Sequence, residues 1–166
     1  MTRRWATKTA LLAVVASTIG CDQASKHLAS VHLAGSLPQS FLGDSIRLEY
    51  AENPGAFLSL GANLPSWGRT AVFSFGTGFV LLMCLVVGLR PDRPSGLRLG
   101  LALVFAGGAS NLVDRVVHHA VVDFLNVGIG PIRTGIFNVA DMAIMLGISL
   151  LVFGGRWRAA ARKNAV

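Results

Sequence analysis

Residues 70–89 run for twenty positions without a charged side chain. At 1.5 Å per residue an α-helix needs roughly 20 residues to cross the hydrocarbon of a bilayer, so this run matches one crossing. Three shorter uncharged runs, 9–21, 99–113 and 142–155, reach that length only by taking in a charged neighbour. The neighbours are Asp22 with Lys26, Asp114 with Arg115, and Asp141. Three of the four spans would therefore carry a carboxylate at one end. Composition agrees: 52% of the chain is hydrophobic and 14% charged, against about 25% charged in soluble domains. The expectation is an α-helical membrane protein, a single integral domain over 1–166 with four transmembrane helices at about 9–28, 69–89, 98–115 and 137–155.

The net charge of +7 raises nucleic acid as a partner. The basic residues, however, are not gathered into a patch with interleaved aromatics. Membrane topology accounts for them instead. Arg3, Arg4 and Lys8 precede span one; Arg90, Arg93 and Arg98 separate spans two and three; Arg156, Arg158, Arg162 and Lys163 follow span four. Cytoplasmic loops collect Lys and Arg, which puts both termini inside and leaves Lys26, Arg47, Arg69, Arg115 and Arg133 for the other face or its boundary. Asp22, Asp114, Asp123 and Asp141 then all fall at the outer leaflet. The start of the chain, through Thr18-Ile19-Gly20-Cys21, resembles a lipoprotein signal, but Thr18 replaces the usual Leu and three spans follow. Span one is expected to be retained.

Between spans one and two lies an outer segment, about 40–62. Residues 45–50 alternate polar with apolar, the period of a half-buried strand. Asn53-Pro54-Gly55 signals a turn, and 56–60 can return as a second strand. A small extracytoplasmic β-sheet between helices one and two follows. Residues 126–135, with Gly128, Gly130, Pro131 and Gly135, read as a loop.

Asp123 and Asp141 stand out because carboxylates at a membrane boundary are costly and mark function. Two that meet suggest acid–base chemistry, since neighbouring like charges push their pKa values apart. The loop between them permits the meeting. Asn138 and Asp141, three apart, share a face at the start of span four, where an acid also suits the helix dipole. Asp22 and Lys26 are an i,i+4 pair in the favourable order, either a boundary salt bridge or a group shaping the site. Gly107, Gly108, Asn111, Asp114 and Arg115 form one stripe of span three. Packing alone explains the glycines but not the polar members. The four histidines lack zinc-site spacing, and no serine has an evident base.

Taken together, these blocks resemble the signal peptidase II family of bacterial aspartic intramembrane proteases. They are Asp22-Gln-Ala-Ser-Lys26, Glu52-Asn53-Pro54-Gly55-Ala56-Phe57, Gly107-Gly108-Ala-Ser-Asn111-Leu-Val-Asp114-Arg115, Val122-Asp123-Phe124 and Phe137-Asn138-Val-Ala-Asp141, in the family's order. Ser110 stands where many members have Gly, and Phe57 follows Ala56 directly where many have a further residue. The resemblance implies removal of the signal peptide from diacylglyceryl-modified prolipoproteins, before the lipidated cysteine, in the bacterial cytoplasmic membrane. It implies Asp123 and Asp141 as the catalytic pair, with Asp22, Lys26, Asn53, Gly107, Asn111, Asp114, Arg115, Asn138 and Ala140 around them. Asp114 would orient Arg115. No metal or cofactor is expected, the partners are the prolipoprotein and the bilayer, and a monomer suffices. The competing readings are a small proton-coupled transporter subunit and a scaffold whose acids only pair with Lys26, Arg115 or Arg133.

Overall fold

The computed structural model describes residues 2–55, 65–90 and 92–163. Four long helices carry a four-stranded antiparallel sheet at one end. In chain order they are α1 (Thr2–His32), β1 (Gln39–Phe41), β2 (Ile46–Asn53), α2 (Ser66–Gly88), α3 (Ser95–His118), β3 (Val121–Ile129), β4 (Ile132–Arg133) and α4 (Val139–Lys163). Prolines stand immediately before α2 and α3: Pro65 and Pro94 hold extended backbone (φ −60° at both) and release the chain into a helix. α3 stops where His119 turns left-handed (φ 62°), its N–H reaching the Arg115 carbonyl. Among the described residues two helices, over Ala71–Gly88 and Ser95–His118, are long and apolar enough to cross a membrane, and Val139–Gly154 is a shorter apolar helix. Large apolar side chains such as Phe75, Phe79, Val116 and Leu146 lie exposed on the outside of the bundle, where lipid rather than water would cover them.

α3 is the central helix, packed against α1, α2 and α4. Its contact with α4 is close because both surfaces are lined with small residues. A Cβ added to Gly100 would come within 3.0 Å of the Gly147 carbonyl oxygen, and one on Gly147 within 2.7 Å of that of Gly100. At Gly107 a Cβ would collide with the Ala140 carbonyl oxygen and with Ile144. Ala140 is itself completely buried. Gly107→Val is therefore expected to force the start of α4 outward and cost about 1–3 kcal/mol, the usual range for overpacking. Thermal unfolding in detergent checks this, and an unchanged midpoint would mean that the helices have room to part.

The sheet corrects the sequence-based expectation. Its order is β1-β2-β3-β4, so half of it comes from the segment after α3, which reads as loop in the sequence. β2 pairs with β1 and β3; the expected return strand at 56–60 lies outside the described residues. Val121-Val122-Asp123-Phe124-Leu125 is rich in β-forming residues, and an acid in its middle disguises it. Burial shows the strand's period, with Val121 and Asp123 buried between half-buried neighbours. A register shift between Leu48 and Ala51 sets Asp123 opposite Ala51 and Val121 opposite Asn53.

Candidate active site

The β3–β4 hairpin brings the two acids together. After the turn the chain runs back along β3, where Leu125 and Phe137 exchange backbone hydrogen bonds of 2.9 Å in both directions. Asn138, the next residue, opens α4. Its side-chain oxygen accepts the Asp141 N–H at 2.9 Å, while its own N–H donates to Asp141 Oδ2 at 3.3 Å. This reciprocal arrangement is a capping box, and it fixes the Asp141 carboxylate on the first turn. The Asn138 side-chain amide also donates to Asp123 Oδ1 at 2.7 Å. One fully buried asparagine thus holds both acids.

Two more amides complete the cradle. Asn53 Nδ2 donates to Asp123 Oδ2 at 3.2 Å, and Asn111 Nδ2 donates to Asp141 Oδ1 at 2.9 Å. Asn111 cannot turn round. Its oxygen accepts from Lys26 Nζ at 2.7 Å and from Asn138 Nδ2 at 3.2 Å, and an ammonium only donates. Asn53, Asn111 and Asn138 all act as donors to the two carboxylates.

Behind this pair lies a buried ionic cluster. Lys26 Nζ sits 2.6 Å from Asp22 Oδ2 and 2.7 Å from Asp114 Oδ2. Asp22, with 0% exposure, also accepts from Ser110 Oγ and from the Ala140 backbone N–H, each at 2.7 Å. That second bond satisfies an otherwise orphaned donor at the start of α4 and ties α1 to the residue before Asp141. Gln23 Nε2 donates to Asp114 Oδ1 at 2.8 Å and to Ser110 Oγ at 2.9 Å.

Burial and the charge of Asp141 push the Asp123 carboxyl up to about 6, against the pull of the Asn53 and Asn138 amides. The two carboxylates are near enough for the charge of Asp141 to be felt at Asp123.

Residues 14–155 match the family model described as Signal peptidase (SPase) II. The chain belongs to the signal peptidase II family. Among its relatives, the lipoprotein signal peptidase of Moorella thermoacetica is 39% identical over 85% of this chain and 87% of its own length. That of Yersinia enterocolitica is 31% identical, over 92% and 86%. A solved bacterial membrane enzyme, determined in meso at 1.9 Å, shares the fold with a TM-score of 0.78 at 22% identity, covering 88% of this chain and 92% of that one. This signal peptidase II is accordingly a protease of a membrane-enzyme fold, and the transporter reading falls away.

Of the residues singled out in the sequence, Asp22, Lys26, Asn53, Asn111, Asp114, Asn138 and Ala140 form one network with Asp123 and Asp141, and Gly107 provides its close helix contact. One pairing differs from expectation. Asp114 does not orient Arg115, because its oxygens are taken by Gln23 and Lys26. Arg115 is half-buried instead and donates through Nη1 to the Asn111 carbonyl at 3.3 Å. Arg133 does not serve the acids either. It binds Asp44 and Asn126 at the far end of the sheet. Gln23 and Ser110 also join this network, a role the sequence does not signal although both lie inside matching blocks. Nothing in their spacing distinguishes a long amide or a small hydroxyl from ordinary helix residues.

The position of Asp123 has a consequence for stability in a signal peptidase II. Its folded pKa of about 6 lies above the ordinary 3.8, so its contribution is fully present below pH 3.8 and is lost as pH rises through 6. The shift corresponds to about 3 kcal/mol. Asp44, held low by Arg47, titrates below this window and does not interfere. The unfolding midpoint of the wild type should fall between pH 4.5 and 7.5, and that of Asp123→Asn should fall less. Parallel curves for the two proteins would refute the shift.

Proposed function

We propose that this chain is the aspartic endopeptidase that removes the signal peptide from diacylglyceryl-modified prolipoproteins, cutting just before the lipidated cysteine. The observation that carries this reading is the pair of a buried Asp123 and a half-buried Asp141, bridged by Asn138 and surrounded by hydrogen-bond donors. One acid is ionised and takes a proton from water, whose oxygen bonds to the scissile carbonyl carbon. The other, protonated, donates to the developing oxyanion. As the C–N bond breaks, the leaving amine of the lipidated cysteine takes up the proton abstracted from water, and the dyad again holds one shared proton. Arg115 and Asn53 position the substrate backbone; the guanidinium suits a carbonyl because it offers several donors in one plane.

The same reading covers the membrane. All four helices span the bacterial cytoplasmic membrane, both termini are cytoplasmic, and the site lies at the outer leaflet as a monomer's own. The Lys and Arg distribution supports the orientation. The exposed apolar side chains on all four helices support their contact with lipid.

The decisive experiment incubates the purified full chain in detergent with a diacylglyceryl-modified prolipoprotein and with its unmodified precursor. Mass spectrometry is expected to find a product beginning at the lipidated cysteine, from the modified substrate only. Equal cutting of the unmodified precursor would remove the lipid from the specificity. A folded protein that cuts neither would overturn the function.

A further inference from the structure

The end of the sheet away from the acids is unusually apolar for a surface. Two turns meet there, at 42–44 between β1 and β2 and at 130–131 between β3 and β4. Leu42 is 77% exposed, and Ile129 and Ile132 are each 81% exposed. Phe41 adds a further half-exposed ring. The backbone makes the choice of residue stranger. Leu42, Gly43 and Asp44 are consecutively left-handed, with φ of 52°, 62° and 69°. Asn, Asp or Gly adopts that conformation readily, whereas leucine there is strained. In water such a leucine would combine strain with exposed hydrocarbon and gain nothing from either.

The two turns form one body. Gly128 N–H donates to the Ser45 carbonyl at 2.9 Å. Arg133 Nη1 donates to the Asp44 carbonyl at 2.6 Å, clamping one turn to the other. At the base, Asp44 is paired with Arg47 at 2.5 Å and with Arg133 at 3.5 Å. Arg47 and Arg133 both face this carboxylate at the base of the apolar tip, with Glu49 also within electrostatic reach of Arg47. Hydrophobic side chains backed by guanidiniums match a lipid interface, where acyl chains lie beneath phosphates. Exposed apolar side chains also mark the chain that leads from the bundle to β1. Leu28 and Val31 are exposed on the last turns of α1, and Leu37, 87% exposed, follows on the way to β1.

We propose that the paired turns form a lip that inserts into the outer leaflet, Leu42, Ile129 and Ile132 entering the acyl region while Arg47 sits at phosphate level. The proposal rests on the membrane orientation given under the proposed function. Its consequence is mechanical. Asp123 belongs to β3, the strand that ends at Ile129, so a lip held in lipid fixes the depth of that carboxylate. A substrate cysteine anchored by its own acyl chains then meets the acids at a constant height.

Spin labelling of the full chain tests this. In a Cys21→Ser, Cys84→Ala background, labels are attached at Leu42→Cys or Ile132→Cys, with Asp92→Cys in the α2–α3 connection as a water-exposed control. The proteins are placed in nanodiscs of phosphatidylethanolamine and phosphatidylglycerol. Power saturation compares oxygen, which concentrates in lipid, with a water-soluble nickel chelate. Both lip positions are expected to favour oxygen severalfold, and the control to favour the nickel chelate. If the lip resembles the control, it stands in water; if neither reagent reaches it, protein covers it, as in a dimer. Either result overturns the proposal. Ile129→Cys replaces Leu42→Cys if the strained turn does not tolerate the label. Prolipoprotein cleavage in the same discs reports separately on the enzyme reading, so a cutting enzyme with a watery lip would sink only the lip.

Discussion

Asp123→Asn and Asp141→Asn each lower kcat for signal-peptide removal by at least about 1,000-fold, some 4 kcal/mol at the transition state. Neither substitution should unfold the protein. At position 141 an amide oxygen can still accept from Asn111, where the carboxylate now does at 2.9 Å; the weaker 3.3 Å bond from the Asn138 N–H is lost. At position 123 an amide oxygen keeps the 2.7 Å bond from Asn138, and removing a buried charge offsets the poorer contact with Asn53. What an amide cannot do is take a proton from water or give one to an amine. The loss should therefore appear in kcat, with KM changed only a few-fold, because Arg115 and Asn53, the proposed peptide-positioning groups, remain. Steady-state cleavage of a lipidated substrate by each variant, beside its unfolding midpoint, makes the comparison. A folded variant that retains a tenth of wild-type kcat would show that its acid is not part of the chemistry. The double variant should be no worse than either single one, since the two acids act as a unit.

Much of this site was legible because helices impose simple arithmetic. Asp22 and Lys26 at i,i+4, Asn138 and Asp141 at i,i+3, and the stripe through Gly107, Asn111 and Asp114 had to share faces once the helices existed. Charge distribution could then group the acids by membrane side without knowledge of any contact. Sheets are less readable, because their partners are chosen at long range. Nothing local in Val121-Val122-Asp123-Phe124 says that it pairs with Ala51-Glu52-Asn53 rather than looping freely, and a central acid argues against a strand. Yet that pairing delivers Asn53 to Asp123, and the Leu125–Phe137 bridge delivers Asn138 to both acids. Partner choice inside the ionic cluster was equally hidden. Asp114 precedes Arg115, but successive helix residues point about 100° apart, and Asp114 turns towards Lys26 and Gln23 on α1. Gln23 is one residue from Asp22, and its long side chain reaches Ser110 and Asp114 across the helix interface.

Among the described residues the Lys26 ammonium is the one cation in ion-pair contact with Asp22 and Asp114, and Lys26→Met is expected to cost about 3–5 kcal/mol of stability, the usual penalty for leaving buried charges unpaired. Methionine replaces the aliphatic stem well, so lost packing contributes little. What remains are Asp22 and Asp114, both buried, their Oδ2 atoms facing the space where Nζ bound them at 2.6 and 2.7 Å. Hydrogen bonds from Ser110, Gln23 and the Ala140 N–H still reach them, but neutral donors do not cancel two like charges. Asn111 also loses the donor that orients it, and with it the fixed amide on Asp141. A second substitution separates charge from shape. In Lys26→Met with Asp114→Asn, one anion is removed, and the new amide can keep the bond from Gln23 through its oxygen while its NH₂ turns to Asp22. This double variant should recover part of the lost stability, so the two substitutions are strongly non-additive. Unfolding midpoints in detergent for the wild type, both single variants and the double variant close the cycle. A Lys26→Met loss below about 1 kcal/mol, the worth of an exposed pair, would mean that water reaches the cluster. Additive losses would mean that Lys26 and Asp114 do not sense each other, and that the site's rear wall is held by hydrogen bonds alone.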